Sequence, residues 1–202
     1  LARGCYTDGW RRFLSVGGDG TNFEVASGLL AAALEVGERP VLGLLPLGTG
    51  NSLYRDFTDE GVEYSIRALA EGKRRACDVI RVTHSGGAHY CLNLISVGFV
   101  AEVCRLANAR FKRMGEAGYS VSVLLKLLRL RPEAYPMRLD GGPEDREPMT
   151  LVSFCNSRFT GGKMEMAPAA DPCDGEGDMV RVDAGGRRAL VGAFSRIFKG
   201  TH

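Results

Sequence analysis

Long apolar runs are missing from this sequence. The longest, 41–47 and 121–128, the second broken by Lys126, fall well short of the roughly 20 residues that a membrane-spanning helix needs. An excess of one charge is missing too. The 26 Lys and Arg stand against 24 Asp and Glu, which leaves +2 at pH 7 and argues against a chain whose work is neutralising nucleic acid. The six cysteines, at 5, 77, 91, 104, 155 and 173, form no CxxC pair, and His84, His89 and His202 complete no zinc pattern, so a reduced cytoplasm is the simplest setting. The first residues, Leu1 to Cys5, lack an initiator Met and the apolar region of a signal peptide, and the last are Gly200-Thr201-His202. A fragment of a longer protein is expected.

What is present is ordinary globular composition. With 202 residues, 45% apolar and 25% charged, the chain can bury the core of one large domain or two small ones. Phe13 to Val16 is a short buried-type run leading into glycines, Phe23 to Val36 is helical and rich in Ala and Leu, and Val41 to Leu45 is a second apolar run. Two strands joined by a helix favour a right-handed βαβ unit with a parallel sheet. Helices are expected over 51–57 and 62–71, and a domain boundary after the basic Lys73-Arg74-Arg75.

From Cys77 the pattern turns to β structure. Val79 to Thr83, a Ser85-Gly86-Gly87 turn and His89 to Val97 read as a hairpin. Helices follow at 100–111 and 119–130, strands at 137–139, 149–156 and 179–182, and a last amphipathic helix at 187–198. The expected fold is α/β: a partial Rossmann-like parallel sheet with helices over 1–75, then a mostly antiparallel, β-rich domain over 76–202. The cysteines are expected as small core residues, and His84 and His89, flanking a turn, as exposed.

Gly17-Gly18-Asp19-Gly20-Thr21 lies between a predicted strand and a predicted helix, where glycines admit a ligand close to the backbone and first-turn amides point at it. Phosphate is the natural guest. Asp19 or Thr21 capping the helix is the plainer alternative. Leu47-Gly48-Thr49-Gly50-Asn51 follows the next strand in the same way, so both loops should lie together at the carboxyl edge of one parallel sheet, where α/β ligands bind. Neither loop is a dinucleotide or Walker fingerprint: the second lacks a third glycine, and Gly162-Lys163 is followed by Met164, where a P-loop needs Ser or Thr. Asp171, Asp174 and Glu176 surround a glycine-containing turn able to hold a divalent cation or simply to be solvated.

Taken together, GGDGT at 17–21 and PLGTGN at 46–51 resemble the catalytic domain of the diacylglycerol kinase and sphingosine kinase family, within the NAD kinase superfamily. The likeness continues through Ser96-Val97-Gly98-Phe99 with Ala101-Glu102-Val103, Lys112-Arg113-Met114-Gly115 with Tyr119, Asn156 with Gly161-Gly162-Lys163 and Ala167-Pro168, Asp174-Gly175, and Gly200-Thr201-His202. It covers nearly the whole chain and is closest to the bacterial soluble lipid kinases. The resemblance implies an ATP- and Mg²⁺-dependent lipid kinase that acts on a diacylglycerol-like lipid from the cytoplasm, at the membrane surface and without a transmembrane segment. A kinase acting on a soluble substrate, as NAD kinase does, and a non-catalytic nucleotide-binding remnant are the alternatives.

The resemblance also implies site residues. Gly17, Gly18, Asp19, Gly20, Thr21, Asn22 and Phe23, with Gly48, Thr49, Gly50 and Asn51, would cradle the nucleotide. Asp19 would be the indispensable carboxylate, and Glu24 matches a family glutamate. Asp174 would ligate a structural Mg²⁺ by its side chain, and residues 171 and 176 partly by backbone carbonyl; Asp178 matches an acidic position of open role. Lys112 and Arg113 could meet phosphates or anionic headgroups, while the helix at 119–130 walls an acyl-chain cleft or simply buries its apolar face. Cys104 stands nearest to where sphingosine kinases carry an acidic residue, which tells against sphingosine. A first strand before residue 1 and a general base after residue 202 are expected to be missing, leaving a bare sheet edge that admits a homodimer.

Overall fold

The structure, a computed structural model, describes residues 1–111, 121–123, 125–126, 131–184, 192 and 196–201. Its residues form two compact units, 1–94 with 155–178 and 95–154 with 179–202. The division expected at 75/76 runs along the chain. Compactness groups the residues otherwise, returning 155–178 to the first unit.

In the first unit, α1 (Ala2–Thr7) leads into β1 (Arg12–Gly17), α2 (Asp19–Val36), β2 (Val41–Pro46), α3 (Val62–Ala70) and the hairpin β3 (Ile80–His84) and β4 (Gly87–Cys91). β1 and β2 pair in parallel from Arg12↔Val41 to Gly17↔Pro46, as the strand, helix, strand pattern predicts. α2 starts four residues earlier than its apolar pattern, because Asp19 to Asn22, directly after the extended N-cap Gly18, are already helical. It buries Asn22, Ala26, Leu29 and Ala33, one stripe at helical spacing, and stops at Gly37, whose φ of 79° a side chain would disfavour. Tyr6 is fully buried against Leu29, Ala32 and Ala33, and its hydroxyl donates to Glu38 O at 2.6 Å. A second cluster joins Ala26, Leu53 and Leu92.

The helix expected over 51–57 shrinks to one 3₁₀ turn, Leu53–Asp56. Its conformation is set from outside: the Tyr54 hydroxyl donates to Gly61 O at 2.7 Å, and Ser65 Oγ of α3 donates to Leu44 O at 2.7 Å and lies 3.1 Å from the Tyr54 hydroxyl. The arm expected from His89 to Val97 is broken at Leu92-Asn93. β4 pairs with β3, while β5 (Leu94–Gly98) joins another sheet. The small pair β8 (Phe159–Thr160) and β9 (Met164–Glu165) completes the first unit.

The second unit carries a four-stranded sheet in the order β10 (Asp178–Asp183), β7 (Pro148–Cys155), β5, with β6 (Glu133–Ala134) antiparallel to β7. The 137–139 strand is reduced to a single bridge, Met137↔Asp145. α4 (Phe99–Leu106) continues as a π-helix over Ala107–Phe111. Of the helix expected at 119–130, residues 121–123 and 125–126 are described and helical; Lys112, Arg113, Tyr119 and most of 187–198 lie outside the described residues. The cysteines depart from the core assignment: only Cys155 is buried, its thiol pushed up to about 12 by burial, while Cys77 and Cys104 are exposed. His84 and His89 are exposed, as expected.

Candidate functional site

β1 and β2 end in step, so the loops that follow leave one sheet edge side by side, and Leu47 N–H donates to Gly17 O at 3.1 Å. Their backbones then touch. A Cβ on Gly18 would stand 3.0 Å from Gly48 Cα, and one on Gly48 would overlap Gly18 Cα outright. Only glycine at both positions allows this approach. Asn51 holds the second loop from within, at φ 50°. Its Oδ1 accepts Gly48 N–H at 3.1 Å, and its Nδ2 donates to Gly48 O at 2.8 Å and Pro46 O at 3.2 Å. Its side chain thus braces its own loop.

Asp19 opens α2 but does not cap it; no side chain does, and the N-cap is Gly18. The carboxylate instead crosses to the second loop, where Oδ2 accepts Ser52 N–H at 2.9 Å and Oδ1 accepts Leu53 N–H at 3.2 Å. The amide of Asn93 donates to the same Oδ1 at 3.2 Å. A carboxylate offers about four lone-pair positions. Three are filled, so one position on Oδ2 is left open toward the loops. The uncapped first-turn amides of the 18-residue α2, the bare glycines and this one open position make a set of groups suited to a phosphate and its cation.

The segment 156–162 closes around this centre. Gly162 N–H donates to Ser52 Oγ at 2.9 Å, and a Cβ on Gly50 would lie 3.4 Å from both Asp19 Oδ2 and Gly162 N. Buried Asn156 donates through Nδ2 to Leu92 O at 2.8 Å and Asp78 O at 2.9 Å, and its N–H reaches Asn93 O at 2.7 Å. Gly18, Asp19, Gly48, Gly50 and Asn51 thus meet. Asn22 sits just beneath, buried, accepting the Ser15 hydroxyl at 2.6 Å. Gly20, Thr21, Phe23, Glu24 and Thr49 are exposed. Sequence patterns missed Ser52 and Asn93. The signal for Asn93 was one amide side chain inside an otherwise apolar run.

A cleft of about 390 Å³ lies behind the second loop, lined by Arg55, Asp56, Phe57, Thr58, Asp59, Arg158, Phe159 and Glu165. The Asp56 side chain is 1% exposed and its Oδ1 accepts Arg158 Nε at 3.0 Å and Arg158 N–H at 3.2 Å, while Oδ2 has no partner. Burial raises its pKa above the ordinary carboxyl value, against the opposing pull of Arg158.

The acidic turn is organised locally. Asp171 Oδ1 accepts Cys173 N–H at 3.0 Å and stands 3.6 Å from Arg75, Asp174 Oδ1 accepts Glu176 N–H at 2.9 Å, and Asp78 Oδ2 accepts Gly175 N–H at 2.7 Å. Among the described residues no three His, Cys, Asp or Glu side chains converge as a metal-ligand group. Asp171, Asp174 and Glu176 share a turn without pointing their carboxylates at one centre.

Two adjacent glycine loops on a parallel βαβ unit, followed by antiparallel sheets, define the class of fold. Residues 1–82 match the diacylglycerol kinase catalytic domain, and residues 93–202, more than half of the chain, match the YegS C-terminal NAD kinase beta sandwich-like domain. The chain belongs to the diacylglycerol kinase family of YegS type. It is 31% identical over 180 residues to a protein of Mycobacterium tuberculosis strain H37Rv named diacylglycerol kinase, covering 87% of this chain and 58% of that protein. It is 34% identical over 178 residues to one of Chromohalobacter salexigens named "Probable lipid kinase YegS-like", covering 87% and 55%. The chain thus spans little more than half the length of these relatives. The fold is shared with a diacylglycerol kinase from Bacillus anthracis strain Sterne at a TM-score of 0.66 and 22% identity, over 96% of this chain and 63% of that one.

Proposed function

We propose that this protein is an ATP-dependent lipid kinase that transfers the γ-phosphate to the hydroxyl of a diacylglycerol-like lipid. The observation that carries this is the contact of the two glycine loops with the Asp19 carboxylate strung between them. Phosphoryl transfer needs alignment and charge stabilisation more than a covalent nucleophile, and backbone amides, one hydroxyl and one fixed carboxylate supply both. The amides of 18–21 and the Thr49 hydroxyl hold the phosphates, and the open position on Asp19 Oδ2 orients a Mg²⁺ or the attacking hydroxyl. Mg²⁺, when bound with ATP, neutralises charge on the transferring phosphoryl group. Asp174, with carbonyls at 171 and 176, would hold a second cation.

The names of the relatives from Mycobacterium and Chromohalobacter support a lipid as acceptor. No helix among the described residues is long and apolar enough to cross a membrane. Contact with the lipid at the membrane surface, from the cytoplasm, is part of the same proposal. Thermal stabilisation by ATP and Mg²⁺, compared with phosphate transfer to diacylglycerol vesicles and to NAD, tests the assignment. Stabilisation with transfer to lipid supports it. Transfer to NAD alone, or binding with no transfer, contradicts it.

A further inference from the structure

The hairpin of β8 and β9 turns through Gly161, Gly162 and Lys163, closed by the pairs Thr160↔Met164 and Phe159↔Glu165. The two glycines take φ of 54° and 95°, and a Cβ on Gly161 would strike Met164 Cε, so the turn is tight. It is fastened to the second glycine loop and the 3₁₀ turn after it. Gly162 N–H donates to the buried Ser52 Oγ at 2.9 Å, and at the base of the hairpin Arg158 Nε donates to Asp56 Oδ1 at 3.0 Å. Ser52 N–H in turn donates to Asp19 Oδ2 at 2.9 Å, so one residue ties the hairpin tip to the carboxylate between the loops. Lys163 follows Gly162 directly. Gly162 and Met164 on either side of it are buried, whereas Lys163 is exposed and makes no ion pair among the described residues.

The segments that meet around Asp19, residues 17–23, 47–56, 91–93 and 156–163, hold three cationic side chains, Arg55, Arg158 and Lys163. Arg158 is committed to Asp56 and lies 4.9 Å from the Phe159 ring centroid, and Arg55 lines the cleft behind the second loop. The glycine loops themselves carry one fixed carboxylate and no Lys or Arg. A triphosphate keeps a net negative charge after it binds one Mg²⁺, and a cation aimed at the transferring phosphoryl group lowers the barrier to its transfer. We propose that the Lys163 ammonium binds the terminal phosphate of the nucleotide held by the glycine loops; this rests on the phosphate assignment made above. The terminal phosphate is the one beside Asp19, which the hairpin tip adjoins, and a flexible four-carbon stem carries the ammonium from the turn to it. Gly162-Lys163, which belongs to no Walker fingerprint, thus meets phosphate across the fold and not along the chain. The consequence is selectivity: the site holds a nucleoside triphosphate more tightly than the diphosphate left after transfer.

The test is titration of the complete gene product, in Mg²⁺, with ATP, ADP and inorganic tripolyphosphate, for the parent, Lys163→Ala and Lys163→Arg. The expected result for Lys163→Ala is about tenfold weaker binding of ATP and tripolyphosphate, ADP binding within about twofold of the parent, and an unchanged melting temperature without ligand. Lys163→Arg, which keeps the charge, should bind ATP within about threefold of the parent. In the parent, reaction of Lys163 with an amine-acylating reagent, followed by mass spectrometry, should be slowed by ATP and not by ADP, a readout that needs no variant. Equal losses for ATP and ADP, parental ATP binding by Lys163→Ala, or acylation of Lys163 indifferent to ATP overturns the proposal and leaves the phosphate loops standing. Failure of the parent to bind either ATP or tripolyphosphate overturns the phosphate assignment, and the role of Lys163 with it.

Discussion

Asp19 reaches amides 33, 34 and 74 positions away in sequence, whereas Asp171 and Asp174 of the acidic turn accept amides only two residues on. Both turns are rich in glycine and carboxylate, and from composition they are equally plausible ligand sites. Their hydrogen bonds separate them. A carboxylate closing its own Asx turn is satisfied by local backbone and costs the fold little to alter. A carboxylate that ties two loops and a strand end together makes the geometry of the site inseparable from the packing of the unit. Disturbing Asp19 should therefore be felt far more widely than disturbing Asp171 or Asp174.

The largest effect is expected at Gly48. Gly48→Ala places a Cβ inside Gly18 Cα, so the loops must part; a loss of about 3 kcal/mol of stability and of all ATP-induced stabilisation is predicted, measured by denaturant unfolding with and without ATP. A parental midpoint would show that the loops do not touch. The next effect is at Asp56. Its folded-state pKa is raised, so the folded protein holds the proton longer than the unfolded chain does. Its contribution to stability accordingly falls as pH rises from the ordinary carboxyl value through the raised one. Asp56→Asn, which keeps an acceptor for Arg158, should flatten that slope with a net change within about 1 kcal/mol at neutral pH. A slope unchanged in the variant would assign the titration elsewhere.

The smallest effect is at Asp174. Asp174→Ala removes one exposed local hydrogen bond, about 0.5 kcal/mol, and, on the proposal that the turn holds a cation, should lower the melting temperature further in Mg²⁺ than in chelator. Equal shifts in both buffers would leave the turn a solvated Asx turn and sharpen its contrast with the loop pair.

The parallel βαβ unit was legible because two apolar runs, one Ala/Leu helix and a glycine turn admit few other arrangements, and parallel pairing alone then brings the two loops together. The meeting of Gly18 with Gly48 follows from that. What sequence could not reveal is the cross-chain bonding: Ser52 and Asn93 serve Asp19 from other segments, and the same Asn93 breaks an arm that strand patterning runs on to Val97. Asn51, placed among nucleotide ligands by its motif, also clasps its own loop, its side chain bonded to Gly48 and Pro46 from a left-handed backbone. The 3₁₀ turn at 53–56 was beyond local propensity for the same reason, since Tyr54 and Ser65 fix it from outside.

The central claim is that the carboxylate joining the loops serves phosphoryl transfer and not folding alone. Asp19→Asn presents an amide NH₂ where the parent presents only acceptors to Ser52, Leu53 and Asn93, so a few degrees of melting temperature should be lost. The deciding measurement is transfer of labelled γ-phosphate from ATP to diacylglycerol vesicles by the complete gene product, parent against Asp19→Asn, at a temperature where both are folded. We predict transfer by the parent and loss of more than about 99% of it in the variant, several kcal/mol of transition-state stabilisation. Near-parental transfer by folded Asp19→Asn would reduce Asp19 to a structural clasp and contradict the account.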